Sequence, residues 1–563
     1  MRRINYKKQE IEPDEIFLDS SNLPNFNQKK LEGHFEKPIK RKTIFALSLF
    51  CFFILVIFLY RAFNLQIIRG EKYLAKSEDN RLHSLPVFAS RGIIKDRNGV
   101  VLVSNKVDLN STSTLDVPYR VYTEDEGFSH ILGYVGYPKK DKSGVFWRDE
   151  FVGKDGVEKV YNDILSGTPG KKLIETDALG KIVSENTVES GVPGQNINLT
   201  IDSKLQKELF KEVKSLALRG SFVGGSAVIM DINSGEILSM VSYPEYNSNK
   251  ITNEGGLKEV SEYFTRKDTP LINRAFQGVY TPGSTVKPYM ALAALEEGII
   301  DANKSILSTG SISIKNRYGG PDTIFRDWKA HGYVNMKEAL AASSDVYFYA
   351  IGGGYQDQKG LGIDKINTYM KRFGFGYETG IDLIGEKTGI VPNPEWKEKN
   401  FKDNKVWGIG NTYHTSIGQF GFQLTLLELV RAVSSIANNG TLVTPHVNKD
   451  LTDLKTEKTN IKQDNLDVVK AGMKMCVTSD ARGACKTLRV AGVSVAGKSG
   501  TAQLGVHNEQ VNSWMTGFFP TENPKYAFVV LMEKAPKTNT LGAGLVMGKV
   551  LAWIKTEAPE YLK

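Results

Sequence analysis

Ser284 and Lys287 lie three residues apart in TPGSTVKPYMALAALEEG, at the entry to an apolar run with helical spacing. Residues three apart on a helix share a face, so the hydroxyl and the amine are neighbours. Thr281, Pro282 and Gly283 are helix-entry residues and place Ser284 near an N-terminus, where unpaired amides and the helix dipole favour negative charge. Tyr289, Met290, Ala291, Leu292 and Leu295 follow Lys287 and would partly desolvate its ammonium, favouring a neutral amine able to take a serine proton. A Ser-x-x-Lys spacing is a weak signal alone, but this is the only one in the chain.

Two further runs could complete such a centre. ALAASSDVYFYAIG puts Ser343 and Asp345 at the start of another apolar helix, where, taken alone, they read as a helix cap. VAGKSGTAQL sets Lys498, Ser499, Gly500 and Thr501 on a strand-like run, and a glycine inside a strand often marks close approach of another backbone or a ligand. The order Ser-x-x-Lys, Ser-x-Asp, Lys-Ser-Gly-Thr, each in a fitting structural setting, is far more specific than any one match.

The elements that must position these residues follow from the pattern on either side. GSAVIMDINSGEILSMVSYP after Gly224 reads as two strands joined at Asn233, Ser234 and Gly235. Amphipathic segments then run to about Ile436, and strands return in VAGVSVAGKSGTAQL, SWMTGFFP and YAFVVLMEK before a closing helix near Gly542 to Lys555. A sheet built from both ends of a domain, with helices inserted between, is an α+β arrangement. Before it, LTIDSKLQKELFKEVKSLALRG has helical spacing from Leu205, and Asn186 to Gln195 reads as a hinge. From Leu82 to about Val192, runs such as RGIIKDRNGVVLVSN and ILGYVGYP read as short strands and turns of an elongated, mostly non-catalytic module.

Thr43 to Tyr60 contains no charge over about 18 residues, near the minimum for crossing a bilayer core. Bulky residues continue past it where a cleaved signal would have small ones, so a retained anchor is expected. Lys37, Lys40, Arg41 and Lys42 precede the span more densely than Arg61 and Arg69 follow it, which places residues 1–42 in the cytoplasm as a flexible tail and the rest outside. The expected organisation is a tail (1–42), a membrane helix (43–60), a pedestal-like module (61–200) and a catalytic domain (201–563).

A net charge of +9 would suit an anionic partner, but no zinc-finger, RNA-recognition or basic-helix pattern accompanies it, and nucleic acid is not expected as a ligand. Three cysteines exclude a disulfide scaffold and show no metal-ligand spacing. Cys476 and Cys485 lie close enough to pair in an oxidising compartment, which spacing leaves open.

With the three motifs, QIIRGEKYLAKSEDNR, SRGIIKDRNG, GKDGVEKVYNDILSG, NRAFQGVYTPGSTVKP and the Trp407 to Gln423 run containing IGQ, the chain from the membrane span to the C-terminus resembles class B penicillin-binding proteins of the elongation type. That resemblance implies a pedestal followed by an antiparallel sheet with helices on both sides. It also implies D,D-transpeptidase activity on peptidoglycan stem peptides ending in D-Ala-D-Ala, β-lactam binding, no cofactor, and a cell inner membrane location. Partners would be a separate multi-span glycan polymerase and shape-maintenance proteins. By resemblance Ser284 is the acylated nucleophile, Lys287 its base, Ser343 a proton relay and Asp345 a network residue. Lys498, Ser499 and Thr501 would bind the substrate carboxylate on the strand through Gly500, and the N–H groups of Ser284 and Thr501 would form the oxyanion hole. A β-lactamase or D,D-carboxypeptidase, using water as acceptor, is the competing enzyme class; a non-catalytic scaffold is another. The usual Ser-x-Asn is Ser343-Ser344-Asp345 here, a variant of the elongation group. Some relatives carry a zinc site near this motif that includes a cysteine; with none between Cys51 and Cys476 that site is expected to be absent or altered, and no metal is assigned. Asp327 and His331 read as structural or substrate-groove residues.

Overall fold

A computed structural model describes residues 40–106, 118–140, 146–148, 150–176, 182–253, 257–316, 320–505 and 507–563. The tail expected over residues 1–42 lies, up to residue 39, outside the described residues. The described residues divide into two units, one of residues 40–83 with 174–176 and 182–184, the other of the described residues among 84–173 and 185–563. In the first, helix α1 (Arg41–Phe63) is apolar on every side and buries none of its residues against protein. With the π-helical turn Asn64–Ile68 that extends it, it is long and apolar enough to cross a membrane.

The second unit begins with a four-stranded sheet of β1 (Ile94–Lys95), β2 (Val101–Lys106), β3 (Tyr119–Tyr122) and β4 (Ile197–Asn198), in the order β4-β1-β2-β3. The strand reading of this region needs two corrections. Ile131 and Leu132 belong to a helical turn, Ser129–Leu132, that buries both. The expected hinge is partly strand, since Ile182–Glu189 covers its first residues and Val192 pairs with Thr168. Short apolar runs carry no periodicity that separates a helical turn from a strand.

Helix α2 (Ser203–Arg219) follows, capped by Asp202, whose carboxylate accepts from the Lys204 and Leu205 N–H groups at 2.9 and 3.1 Å. The catalytic sheet contains β5 (Gly224–Asp231), β6 (Ile237–Tyr243), β7 (Ala496–Leu504), β8 (Gln510–Phe519) and β9 (Tyr526–Pro536), ordered β6-β5-β9-β8-β7 with antiparallel neighbours. The expected N-terminal hairpin and C-terminal strands thus meet where β5 pairs with β9. Side chains alternate across the sheet. Ala527, Val529 and Leu531 of β9 join the larger core, with Tyr289 to Ala294 and Leu426 to Ala437. Phe528, Val530 and Met532 join the other, with Leu205, Leu209, Val213 and the closing helix Gly544–Glu557. Burial on both faces is why these strands read as continuous apolar runs, and helices cover both sides as expected.

Candidate active site

The chain enters the site through Thr281–Gly283, which is held from two directions. The Trp514 indole N–H donates to the Thr281 carbonyl at 2.9 Å, and Gly283 N–H donates to the Gly418 carbonyl at 3.0 Å, so the IGQ run supports this turn. Gly283–Val286 forms a 3-10 turn, and helix α3 (Lys287–Glu296) starts at Lys287 with Pro288 in its first turn. Ser284 therefore sits on the turn leading into the helix rather than in its first α-turn, and is half-buried while Lys287 is fully buried. Strand β7 lies against this turn. A Cβ on Gly500 would come within 2.7 Å of Thr285 Cγ2 and 2.9 Å of the Pro282 carbonyl, the close approach that a mid-strand glycine signals.

Ser343 and Asp345 arrive from a helix–helix junction. Helix α4 (Met336–Ala342) ends at Ser343 in the left-handed region (φ 57°), and Ser344, not Ser343, caps helix α5 (Asp345–Gly353) by accepting from the Tyr347 N–H. The cap reading thus belongs one residue later, which frees the Ser343 hydroxyl for the cleft. A non-glycine residue at positive φ persists only where its surroundings hold it. Here Lys287 Nζ donates to the Ser343 carbonyl at 2.8 Å and its hydroxyl at 3.3 Å, while Lys498 Nζ donates to the same hydroxyl at 2.8 Å. The third Lys287 donor meets Asp345 Oδ1 at 2.6 Å.

Among the described residues Lys498 has no carboxylate partner; its other hydrogen bond is to the Ser499 carbonyl at 2.9 Å. Burial, reinforced by the Lys287 charge and opposed by Asp345, pushes its ammonium well below the ordinary lysine range. Ser499 and Thr501 continue along β7 toward solvent, Thr501 opposite Ser513 of β8. Ser284, Ser343, Asp345, Ser499 and Thr501 all line one cleft of about 850 Å³. All eight expected site residues are brought together.

Other cleft residues carried little sequence signal. Tyr349 lies one turn after Asp345 on α5, a spacing that points it to the same face. His414, from helix Ile409–Ser416, Gln419 and Trp328 also line it; the first two fall in the Trp407 to Gln423 run and the third beside Asp327, but no spacing singled out these side chains. Asp327 has a side chain closed to solvent and both oxygens engaged. Oδ2 accepts from Ser344 Oγ at 2.9 Å, Val346 N–H at 3.0 Å and Ser308 Oγ at 3.3 Å; Oδ1 faces Trp328 N–H at 2.8 Å and His331 Nε2 at 3.4 Å. These residues do not fit the zinc of some relatives. Both carboxylate oxygens already serve N–H and O–H donors, and among the described residues the side chains bonded to it besides His331 are the Ser308 and Ser344 hydroxyls, where a tetrahedral site needs further thiolate, imidazole or carboxylate ligands. Cys476 and Cys485, whose pairing spacing left open, form a disulfide with Cα atoms 5.1 Å apart.

A family model for the penicillin-binding protein transpeptidase domain matches residues 225–551, and one for the penicillin-binding protein dimerisation domain matches 106–199. A peptidoglycan D,D-transpeptidase MrdA of Acinetobacter baumannii is 32% identical over 593 residues, covering 88% of this chain and 85% of that protein. Pseudomonas aeruginosa PBP2 in complex with WCK 5153 superposes with a TM-score of 0.69 at 30% identity, covering 85% of this chain and 98% of that one. Helicobacter pylori PBP2, in complex with MreC, gives 0.69 at 27% identity, covering 84% and 99%. Ser343 held by two buried lysines, one of them on an edge strand of the antiparallel sheet, shares a cleft with Ser284 inside a domain that matches over more than half the chain, and this defines the class: the chain belongs to the penicillin-binding protein transpeptidases. Within that family it groups with the class B members of the elongation type, penicillin-binding protein 2.

Proposed function

We propose that the nucleophile of this peptidoglycan D,D-transpeptidase is Ser284, and that it cross-links stem peptides in wall elongation through an acyl-enzyme. The observation that carries this is the convergence of all three motifs on one cleft, with Ser284 on a turn wedged between β7 and the Gly418 carbonyl. Ser284 Oγ attacks the D-Ala-D-Ala carbonyl carbon, the C–N bond breaks, and the departing D-Ala nitrogen takes a proton. An amine of a neighbouring stem then displaces Ser284 from the acyl group. Ser343 touches both lysines and so bridges the proposed base, Lys287, and Lys498. The substrate carboxylate binds Ser499 and Thr501 beside Lys498. The N–H groups of Ser284 and Thr501 stabilise the oxyanion, each donor contributing about 3–4 kcal/mol in other acyl-transfer enzymes.

The domain boundary is proposed near residue 200, between the dimerisation-type module and the transpeptidase domain. Helix α1 anchors the chain in the inner membrane with residues 1–42 cytoplasmic, in keeping with its basic N-terminal flank. The partners proposed are a glycan polymerase and shape-maintenance proteins, the latter supported by the relative solved with MreC. Fluorescent penicillin labelling of the full chain in detergent, with peptide mapping, tests the chemistry. A stable adduct on Ser284 that Ser284→Ala abolishes is expected. Labelling elsewhere overturns the assignment, and rapid turnover of the penicillin returns the hydrolase reading.

A further inference from the structure

The reactive turn at Ser343 is built from a residue in a disfavoured backbone region, and the two lysines that grip it pull only on its carbonyl and hydroxyl. What fixes the backbone on its far side is Asp327. One carboxylate oxygen binds both the Ser344 hydroxyl and the Val346 N–H, spanning the turn from which Ser343 projects, while Ser344 Oγ also reaches Ser308 Oγ at 3.2 Å. The other oxygen binds the Trp328 N–H, so the cleft wall bearing Trp328 and the Ser343 turn share a single anchor. Burial alone would raise this carboxyl. The Val346 N–H, the Lys287 charge and the Ser344 hydroxyl outweigh it and keep the group ionised, as an acceptor of so many donors must be.

The geometry points to Asp327 as a positioning residue that holds the Ser343–Val346 turn in its reactive shape by hydrogen bonds alone, without the metal ion that some relatives use beside this motif. This rests on the proposed role of Ser284 and Ser343 in acyl transfer. Ser308 and Ser344 supply O–H donors to the carboxylate, where a zinc site would need ligands that donate electron pairs to the metal.

The test uses the full chain in detergent with a fluorescent penicillin, reading the maximal acylation rate and the dissociation constant separately. Metal content and the melting temperature are measured before and after dialysis against 1,10-phenanthroline. The wild type should carry well below one zinc per chain and lose neither rate nor melting temperature on chelation. Stoichiometric zinc, or a loss of either on chelation, overturns the inference. In Asp327→Asn, whichever way the amide faces, its NH2 confronts N–H or O–H donors. Its maximal acylation rate should fall about tenfold to hundredfold, the scale of a small misplacement of a catalytic group, with the dissociation constant within about twofold. An unchanged rate, or a change confined to the dissociation constant, overturns it. Should that variant not fold, Ser344→Ala removes one strut while leaving the carboxylate, and a several-fold loss of rate is expected; none overturns the inference. If the wild type forms no Ser284 adduct, the proposed function has failed and not merely this refinement of it.

Discussion

Two buried centres in this molecule have the same formal inventory, two basic side chains around one carboxylate, and use it in opposite ways. In the N-terminal part, Glu158 is fully buried and receives Arg91 Nε on one oxygen at 2.5 Å and Arg120 Nε on the other at 2.7 Å. Arg91 also donates to Ser166 Oγ, the Glu158 carbonyl and Asn162. In the cleft, Asp345 receives Lys287 alone, and Lys498 is left to share a hydroxyl with it. Arginine stays charged in any protein setting, whereas a buried lysine changes its protonation readily. The first arrangement is thus a fixed joint, with both cations tied to the anion. In the second, Lys498 has neutral partners, and burial beside Lys287 pushes its ammonium toward the neutral form, so its proton can move as the proposed acyl transfer requires.

The sharpest way to break the comparison is to remove each anion. Glu158→Ala leaves two buried guanidinium groups without a counter-charge, and a loss of about 3–5 kcal/mol in urea unfolding is expected. Asp345→Ala, whose carboxylate is 18% exposed, should alter unfolding far less while slowing penicillin acylation. Equal stability losses would show that the cleft centre is structural too. Next, Lys498→Arg converts the cleft into a copy of the arginine joint. With a permanent charge where a mobile proton is needed, stopped-flow acylation should slow about a hundredfold, equivalent to about 2.7 kcal/mol of barrier. A near-normal rate would mean that Lys498 serves only as fixed charge. Smaller still, Gly500→Ala pushes a methyl group into Thr285 and Pro282, and about a tenfold loss is expected, since β7 and the Ser284 turn must move apart to relieve contacts of 2.7 and 2.9 Å. Unaltered acylation would show that the turn tolerates such a shift.

The cleft was readable in the sequence because its chemistry sits in contiguous runs: Ser284 with Lys287, Ser343 with Asp345, and Lys498 through Thr501. The sheet was readable because its strands are apolar on both faces. The arginine joint was not, since Arg91, Arg120 and Glu158 lie in separate segments and each looks like an ordinary surface charge until the chain folds. Asp327 was harder still. With His331 it read as a structural or substrate-groove residue, but no spacing told which groups it holds, and only the folded chain shows its oxygens turned toward Ser344 and Val346. The misplaced cap at Ser343 has the same origin: whether a helix ends or begins at a serine depends on a left-handed φ that no spacing encodes.

His130 supplies the third case, a buried base with no carboxylate partner among the described residues. Its Nε2 lies 2.9 Å from the Pro270 carbonyl, and burial, together with the Arg274 charge, lowers its pKa to about 3. The folded state therefore keeps His130 neutral where the unfolded chain, titrating near the ordinary 6.5, binds a proton. Between those two values the unfolded state holds more protons, so stability rises with pH across the window and falls as pH drops through it. Each pH unit inside the window corresponds to about 1.4 kcal/mol for one full proton. His130→Gln retains an N–H donor for Pro270 but cannot titrate, and its urea-unfolding free energy should lose that slope between pH 6.5 and 5 relative to the wild type. Parallel curves for the two proteins would mean that His130 is protonated in the folded state, and that a buried cation here needs no carboxylate beside it.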